Sequence, residues 1–147
     1  MKNTEIKAHR VGSKAYQKEL FRLMEEFDGL ARKVKSGKGT SEEFSRMVEI
    51  AESEYGAPLY EIIIGECHLY GICTKPNRMI AEEWFQKAKK HGNDLACLRL
   101  SYIYASLEDE EESISCLRRA KWHGSKLAAG MLKEMEKHPF EREIPKA

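Results

Sequence analysis

The sequence predicts an all-α chain of about seven helices, and three observations carry that prediction. No sustained period-2 run of β-branched residues occurs, so nothing reads as a half-buried strand. Apolar residues recur instead at helical spacing along most of the chain. A short signature also returns every thirty-odd residues: an aromatic or imidazole side chain, a Gly, two residues and a Leu. It is present as Tyr55-Gly56-Ala57-Pro58-Leu59, His91-Gly92-Asn93-Asp94-Leu95 and His123-Gly124-Ser125-Lys126-Leu127. Gly92 follows Gly56 by 36 positions, and Gly124 follows Gly92 by 32. A Gly closing an amphipathic run suits a helix C′ position, where φ turns positive. The three glycines therefore read as helix ends in a repeating helix-turn-helix array.

The elements follow in order. Over residues 14–35, Tyr16, Leu20, Leu23, Phe27, Leu30 and Val34 step by 4, 3, 4, 3 and 4, which is a heptad seam. That seam either pairs with itself in a homo-oligomer or packs on the rest of the chain. Ser36-Gly37-Lys38-Gly39 is a linker; the first Gly of a GxxxxGK[ST] phosphate loop is missing and no strand precedes it. Thr40 and Glu43 form a capping box for a helix at 41–54 with Phe44, Met47, Val48 and Ala51. Leu59, Ile62, Ile63 and Ile64 make the helix at 57–70 more apolar. At 77–91, Met79, Ile80, Trp84, Phe85 and Ala88 cover one face, with Glu82, Glu83, Lys87 and Lys89 off it. The helix at 93–106 is again apolar through Leu95, Leu98, Leu100 and Ile103, and the one at 109–123 is amphipathic through Ile114, Leu117, Ala120 and Lys121. The last runs over 125–137 and stops at His138-Pro139, leaving 140–147 as a loose tail. Apolar inner helices alternating with amphipathic outer ones are what a two-layer helical solenoid requires, since no pair buries its own face alone.

These residues carry a resemblance. Residues 56–92 resemble a complete Sel-one-like repeat, of the family related to tetratricopeptide repeats. Gly56 and Ile64-Gly65 occupy the first helix, and Gly71 opens the loop. Ala81, Trp84, Phe85, Ala88 and Gly92 stand where the family places its Ala, Trp, aromatic, Ala and Gly. His68 replaces the usual Tyr, and Cys73 the second loop Gly. Residues 93–124 resemble a second copy through Asn93, Ala96, Leu100, Tyr104, Ala120 and Gly124, with Ser101 for the paired Gly and Cys116 for the Trp. The resemblance implies a right-handed α-α superhelix, a short solenoid in one domain of residues 1–147. Capping helices at 14–55 would precede a repeat at 56–92, a second at 93–124 and a half-repeat at 125–137. Gly65, Trp84, Ala88, Gly92 and Gly124 are its structural positions.

Composition narrows the function. Lys and Arg number 25 against 24 Asp and Glu, a net charge of +1, which disfavours nucleic acid as the main partner. No apolar stretch, Ile62–Gly65 included, is long enough to span a bilayer, and the N-terminus has no apolar signal region. No membrane role and a cytoplasmic location are expected. Cys67, Cys73, Cys97 and Cys116 form no CxxC pair and read as reduced thiols. The histidines lack ligand spacing, so neither a metal nor another cofactor is expected. His91 and His123 precede helix-ending glycines, where a cation complements the dipole. No nucleophile elbow or other catalytic arrangement surrounds Ser, Cys or His, so no enzyme is expected. Cysteine-rich members of the resembled family have been described as β-lactam hydrolases, but they carry a cysteine pair in every repeat, which this chain lacks. The acidic run Glu108–Glu112 exceeds what capping a helix needs and could meet a basic partner.

The family resemblance implies a groove for another protein. Equivalent inner-helix positions stack as Leu59/Leu95/Leu127, Ile62/Leu98/Gly130, Ile63/Arg99/Met131 and Glu66/Tyr102/Glu134. The spacing i, i+3, i+4, i+7 puts each set on one face. Glu66, Arg99 and Tyr102 are the expected partner-binding residues; burial of that face under the N-terminal heptad helix is the structural alternative. The expected function is a non-enzymatic protein–protein interaction module: an immunity or inhibitor protein that neutralises a toxin or effector, or a signalling or assembly adaptor.

Overall fold

The computed structural model describes residues 5–91 and 94–137. Gly92, Asn93, the expected stop at His138-Pro139 and the tail 140–147 lie outside the described residues. Among the described residues there are seven helices and no strand: α1 (Lys14–Lys35), α2 (Ser41–Glu52), α3 (Pro58–Tyr70), α4 (Arg78–His91), α5 (Asp94–Ser106), α6 (Glu110–Trp122) and α7 (Lys126–Lys137). No described helix is long and apolar enough to cross a membrane. The chain divides into two compact units, Met1–Ala88 and Lys89–Ala147, with the boundary inside α4.

Local chemistry fixes the helix ends. Ser13 caps α1 by accepting from the Tyr16 amide at 3.1 Å. The capping box forms as expected, with Thr40 Oγ1 accepting from the Glu43 amide at 3.1 Å and the Glu43 carboxylate accepting from the Thr40 amide at 3.0 Å. Lys33 bonds the same carboxylate at 2.9 Å, and these donors hold Glu43 below the usual carboxylate range. Helix α2 ends two residues before its expected limit, where the Ser53 hydroxyl donates to the Ile50 carbonyl at 2.6 Å. At α3, Gly71 adopts φ +71° and the Ile72 amide reaches back to the Cys67 carbonyl at 2.9 Å, closing a Schellman turn. Gly124 does the same for α6 at φ +100°, with the Ser125 amide on the Ala120 carbonyl at 3.0 Å.

Gly56 departs from that expectation. Its φ is not positive; a Cβ there would stand 2.1 Å from the Ala51 carbonyl oxygen, so close backbone approach is what excludes a side chain.

In the first unit the core joins Leu23, Phe27, Leu30 and Val34 of α1 to Phe44, Met47 and Ile50 of α2, Ile64 and Cys67 of α3, and Trp84 of α4. The heptad seam is thus buried against the chain's own α2 and α3, with Tyr16 and Leu20 partly buried beside it. Phe27 stacks on Tyr60 with ring centroids 4.0 Å apart. Gly65 lets α4 approach α3: a Cβ there would lie 2.4 Å from Cε1 of Phe85. Trp84 and Ala88 are buried, and the Lys87 ammonium sits 4.4 Å above the indole. The first turn of α4 corrects the expected face: Met79 and Ile80 are exposed, and Ala81 is buried in their place.

Two further features of this unit carry no apolar signature. The guanidinium of Arg46 is fully buried, with Nε 2.5 Å from Glu26 and Nη1 3.1 Å from Glu49. An extended segment before α1 is strapped down, the Tyr55 hydroxyl donating to the Lys7 carbonyl at 2.6 Å and the His9 amide to Glu54 at 3.2 Å.

Candidate partner-binding face

Helix α5 is apolar nearly all round, so burial rather than amphipathicity decides what it presents. Ala96, Cys97, Leu100, Ser101, Ile103 and Tyr104 are buried. Ser101, standing where the repeat pattern has its paired Gly, accepts at its carbonyl from the Ser113 hydroxyl of α6 at 2.8 Å. Two small polar residues thus meet inside the second unit.

The remaining face of α5 carries Leu98, Arg99 and Tyr102, with Tyr102 three residues after Arg99 and four after Leu98. Leu98 and Arg99 are half-buried, whereas Tyr102 is 56% exposed. Helix α7 packs on α6, and a few of its side chains meet those of α5. Cys97, Leu117, Ala120 and Ala128 form a small core, with Leu98, Met131, Leu132 and Met135 packed on it. The Tyr102 hydroxyl reaches the Met131 sulfur at 3.7 Å, and Leu127, one turn before Met131, is exposed. Leu98, Tyr102, Leu127 and Met131 therefore make one apolar, methionine-bearing face with a guanidinium beside it. Flexible thioethers let such a face adapt to a partner, and Tyr and Arg supply large anchors with polar ends.

Glu66 belongs to the first unit. It is half-buried on α3, and its carboxylate pairs with Lys35 at the end of α1, 3.4 Å away. Ile63, one turn earlier, packs on the α1–α2 core. On α3, then, this face is met by the N-terminal helices.

The four cysteines are free. Burial pushes the thiols of Cys67 and Cys116 up to about 11, which keeps both protonated at neutral pH. Cys73 adopts φ +61°, a backbone suited to the Gly that the repeat pattern expects there, and its Sγ lies 3.3 Å from the Gly39 carbonyl. His68 stands edge-on to Phe44 with ring centroids 5.4 Å apart, and burial holds its imidazole below its ordinary value. Among the described residues no group of three His, Cys, Asp or Glu is placed to hold a metal ion.

Sequence reasoning passed over Arg46 and its carboxylates, the strap at Lys7–His9 and the exposure of Trp122. The signal for Arg46 was present: Glu43 and Glu49 flank it at helical spacing, on a helix whose apolar face it shares. No family model, curated protein or solved structure matches the chain.

Proposed function

We propose that the chain is a non-enzymatic protein–protein interaction module of the Sel-one-like repeat type, its helices arranged as a short right-handed α-α superhelix. The observation that carries this reading is the α5–α7 face, where Tyr102 stands 56% exposed over Met131 with Arg99 and Leu127 beside it. An exposed aromatic over a methionine, next to a guanidinium, is the composition of an interface core rather than of an ordinary solvated surface. The repeat assignment is supported by Gly65 under Phe85, by buried Trp84 and by the left-handed Cys73 in place of a loop Gly. The proposed contact residues in this unit are Arg99 and Tyr102.

Within this class we assign the chain to immunity or inhibitor proteins, which cover part of a toxin. An adaptor would use the same face. A neighbouring gene for a secreted toxin separates the two.

Co-purification from the native host followed by mass spectrometry identifies the partner. Against that partner, Arg99→Ala with Tyr102→Ala should weaken binding by more than about tenfold while the thermal midpoint stays put. Binding retained within about 1 kcal/mol, together with a lowered midpoint, makes the face structural and overturns the proposal.

A further inference from the structure

The corner where α6 turns into α7 carries an indole in open water. Trp122 is 88% exposed and Leu127 58% exposed. Arg118, Lys121, His123 and Lys126 are exposed around them. Residues 113–133 hold five Lys or Arg and no Asp or Glu, although the whole chain is nearly neutral. Helix electrostatics accounts for part of this. Arg119 and Lys121 lie in the last turn of α6, where cations are favoured, and Arg119 donates to the Lys90 carbonyl at 3.4 Å. It does not account for Lys126, which opens α7 at the end of a helix that disfavours a cation, in a first turn without any acidic residue.

The opposite end of α6 is acidic beyond its own needs. Asp109 caps the helix by accepting from the Glu112 amide at 3.3 Å, and Lys89 takes the Glu112 carboxylate at 3.0 Å. Glu108 and Glu111 are exposed beside them. Glu108 precedes the helix at φ +61°, a backbone that favours Gly, so its own conformation does not select a glutamate there.

We infer that the second unit binds a second copy of itself head to tail, the basic Trp122 corner of one copy seated on the acidic Glu108–Glu111 end of the next. The 13 residues of α6 extend about 20 Å, roughly twice the screening length at 0.1 M salt, so the two ends act as separate poles. A net charge of +1 leaves little long-range repulsion between copies. The contact covers Trp122 and Leu127 and brings carboxylates to the N-terminus of α7. Because the two surfaces differ, the association is heterologous and grows into rings or chains rather than closing as an isologous dimer. Half a dozen side chains a side is a small contact, of the weak and salt-sensitive class. This pairing uses neither the buried α1 seam nor the Arg99–Tyr102 pair, but it shares Leu127 with the partner-binding face.

Sedimentation velocity of the full chain at about 20 mM and about 500 mM salt tests it, with tryptophan emission read in parallel. Trp84 is buried, so a shift in emission reports Trp122. At low salt the sedimentation coefficient should climb with concentration without a plateau at the dimer, and the emission should move to the blue; high salt should abolish both. Trp122→Ala should weaken association at least about tenfold. Arg118→Glu with Lys121→Glu, and separately Glu108→Lys with Glu111→Lys, should each be monomeric with an unchanged circular dichroism spectrum. Their equimolar mixture should associate again, which a folding defect would not produce. The inference is overturned if the wild-type chain stays monomeric at low salt, if either charge-reversed variant still associates alone, if the mixture does not recover, or if growth stops at a dimer. A monomeric wild-type chain that binds oligothymidylate or phosphatidylserine vesicles through this corner also overturns it, and assigns the corner to a phosphate-bearing surface.

Discussion

Replacing Gly65 with alanine puts a methyl group where the ring of Phe85 already stands. The added Cβ would lie 2.4 Å from Cε1 and 2.7 Å from Cδ1 of that ring, whereas a favourable carbon pair sits at about 3.5–4.0 Å. Phe85 is fully buried, so its ring has no solvent to swing into; either α3 and α4 part by roughly an ångström or the ring leaves its rotamer. Overpacking of this kind costs about 1–3 kcal/mol. Helix propensity acts in the opposite direction, since an interior Gly→Ala change ordinarily gains about 0.8–1.0 kcal/mol. At 2.4 Å against a buried ring the steric cost lies in the upper part of that range, about 2–3 kcal/mol, and Gly65→Ala should lose about 1–2 kcal/mol. Urea denaturation followed by far-ultraviolet circular dichroism reads the change. Phe85→Leu removes the obstructing ring edge, so the double variant should be less destabilised than the sum of the singles by at least about 1 kcal/mol. A Gly65→Ala protein that unfolds at the same or a higher urea concentration than wild type would falsify the close approach of α3 and α4.

Trp84→Ala should cost about 3–5 kcal/mol in the same assay, because the indole is 7% exposed and lies in the first unit's core; a loss under about 1 kcal/mol would sink the repeat alignment. Gly130→Ala should gain about 0.8–1.0 kcal/mol, since no atom lies within 4 Å of a Cβ built there; a loss would mean that a neighbour occupies that space. His68 gives the stability a pH dependence. Burial holds its folded-state value below 6.5, so the unfolded chain takes up the proton first, and stability present above pH 6.5 is lost as the pH falls below it. His68→Tyr should flatten that part of the slope while leaving the further loss below the ordinary carboxylate value of 4.5, to which Glu19 and Glu43 contribute; an unchanged slope near pH 6 removes His68 as its source.

Helix positions were legible because periodicity and capping are local. Thr40 and Glu43 lie three residues apart, and their box forms without help from elsewhere. Gly124 likewise betrays its left-handed turn, whereas Gly71, which no helix-end signature marks, adopts the same conformation. Gly56 matches the same signature but is required by the Ala51 carbonyl, a contact across a loop that no spacing rule encodes. Met79 and Ile80 fit the helical stripe, yet they sit in the first turn, beyond the reach of the core that covers Trp84 and Phe85. The α1 seam showed that a face would be buried but not by what; its partners, α2 and α3, come from residues far along the chain. Of the candidate site, the shared face of Arg99 and Tyr102 followed from helix geometry, whereas the sulfur of Met131 under the Tyr102 hydroxyl depends on how α5 and α7 pack.

Arg46 keys the α1–α2 hairpin. A buried pair of this kind adds little net stability, because desolvating the charges offsets their attraction. What it supplies is discrimination between alternative pairings. The apolar stripes of α1 and α2 would still match tolerably if one helix slid along the other by a turn, about 5.4 Å, since leucine, phenylalanine and methionine accept many neighbours. The guanidinium would not. After such a slip Glu26 would no longer stand against it, and a buried cation would be left with only the carboxylate of its own helix. Misregistered hairpins are thereby penalised during folding by a group whose worth in the finished structure is small, so its substitution should show first as a loss of uniqueness in the α1–α2 pairing.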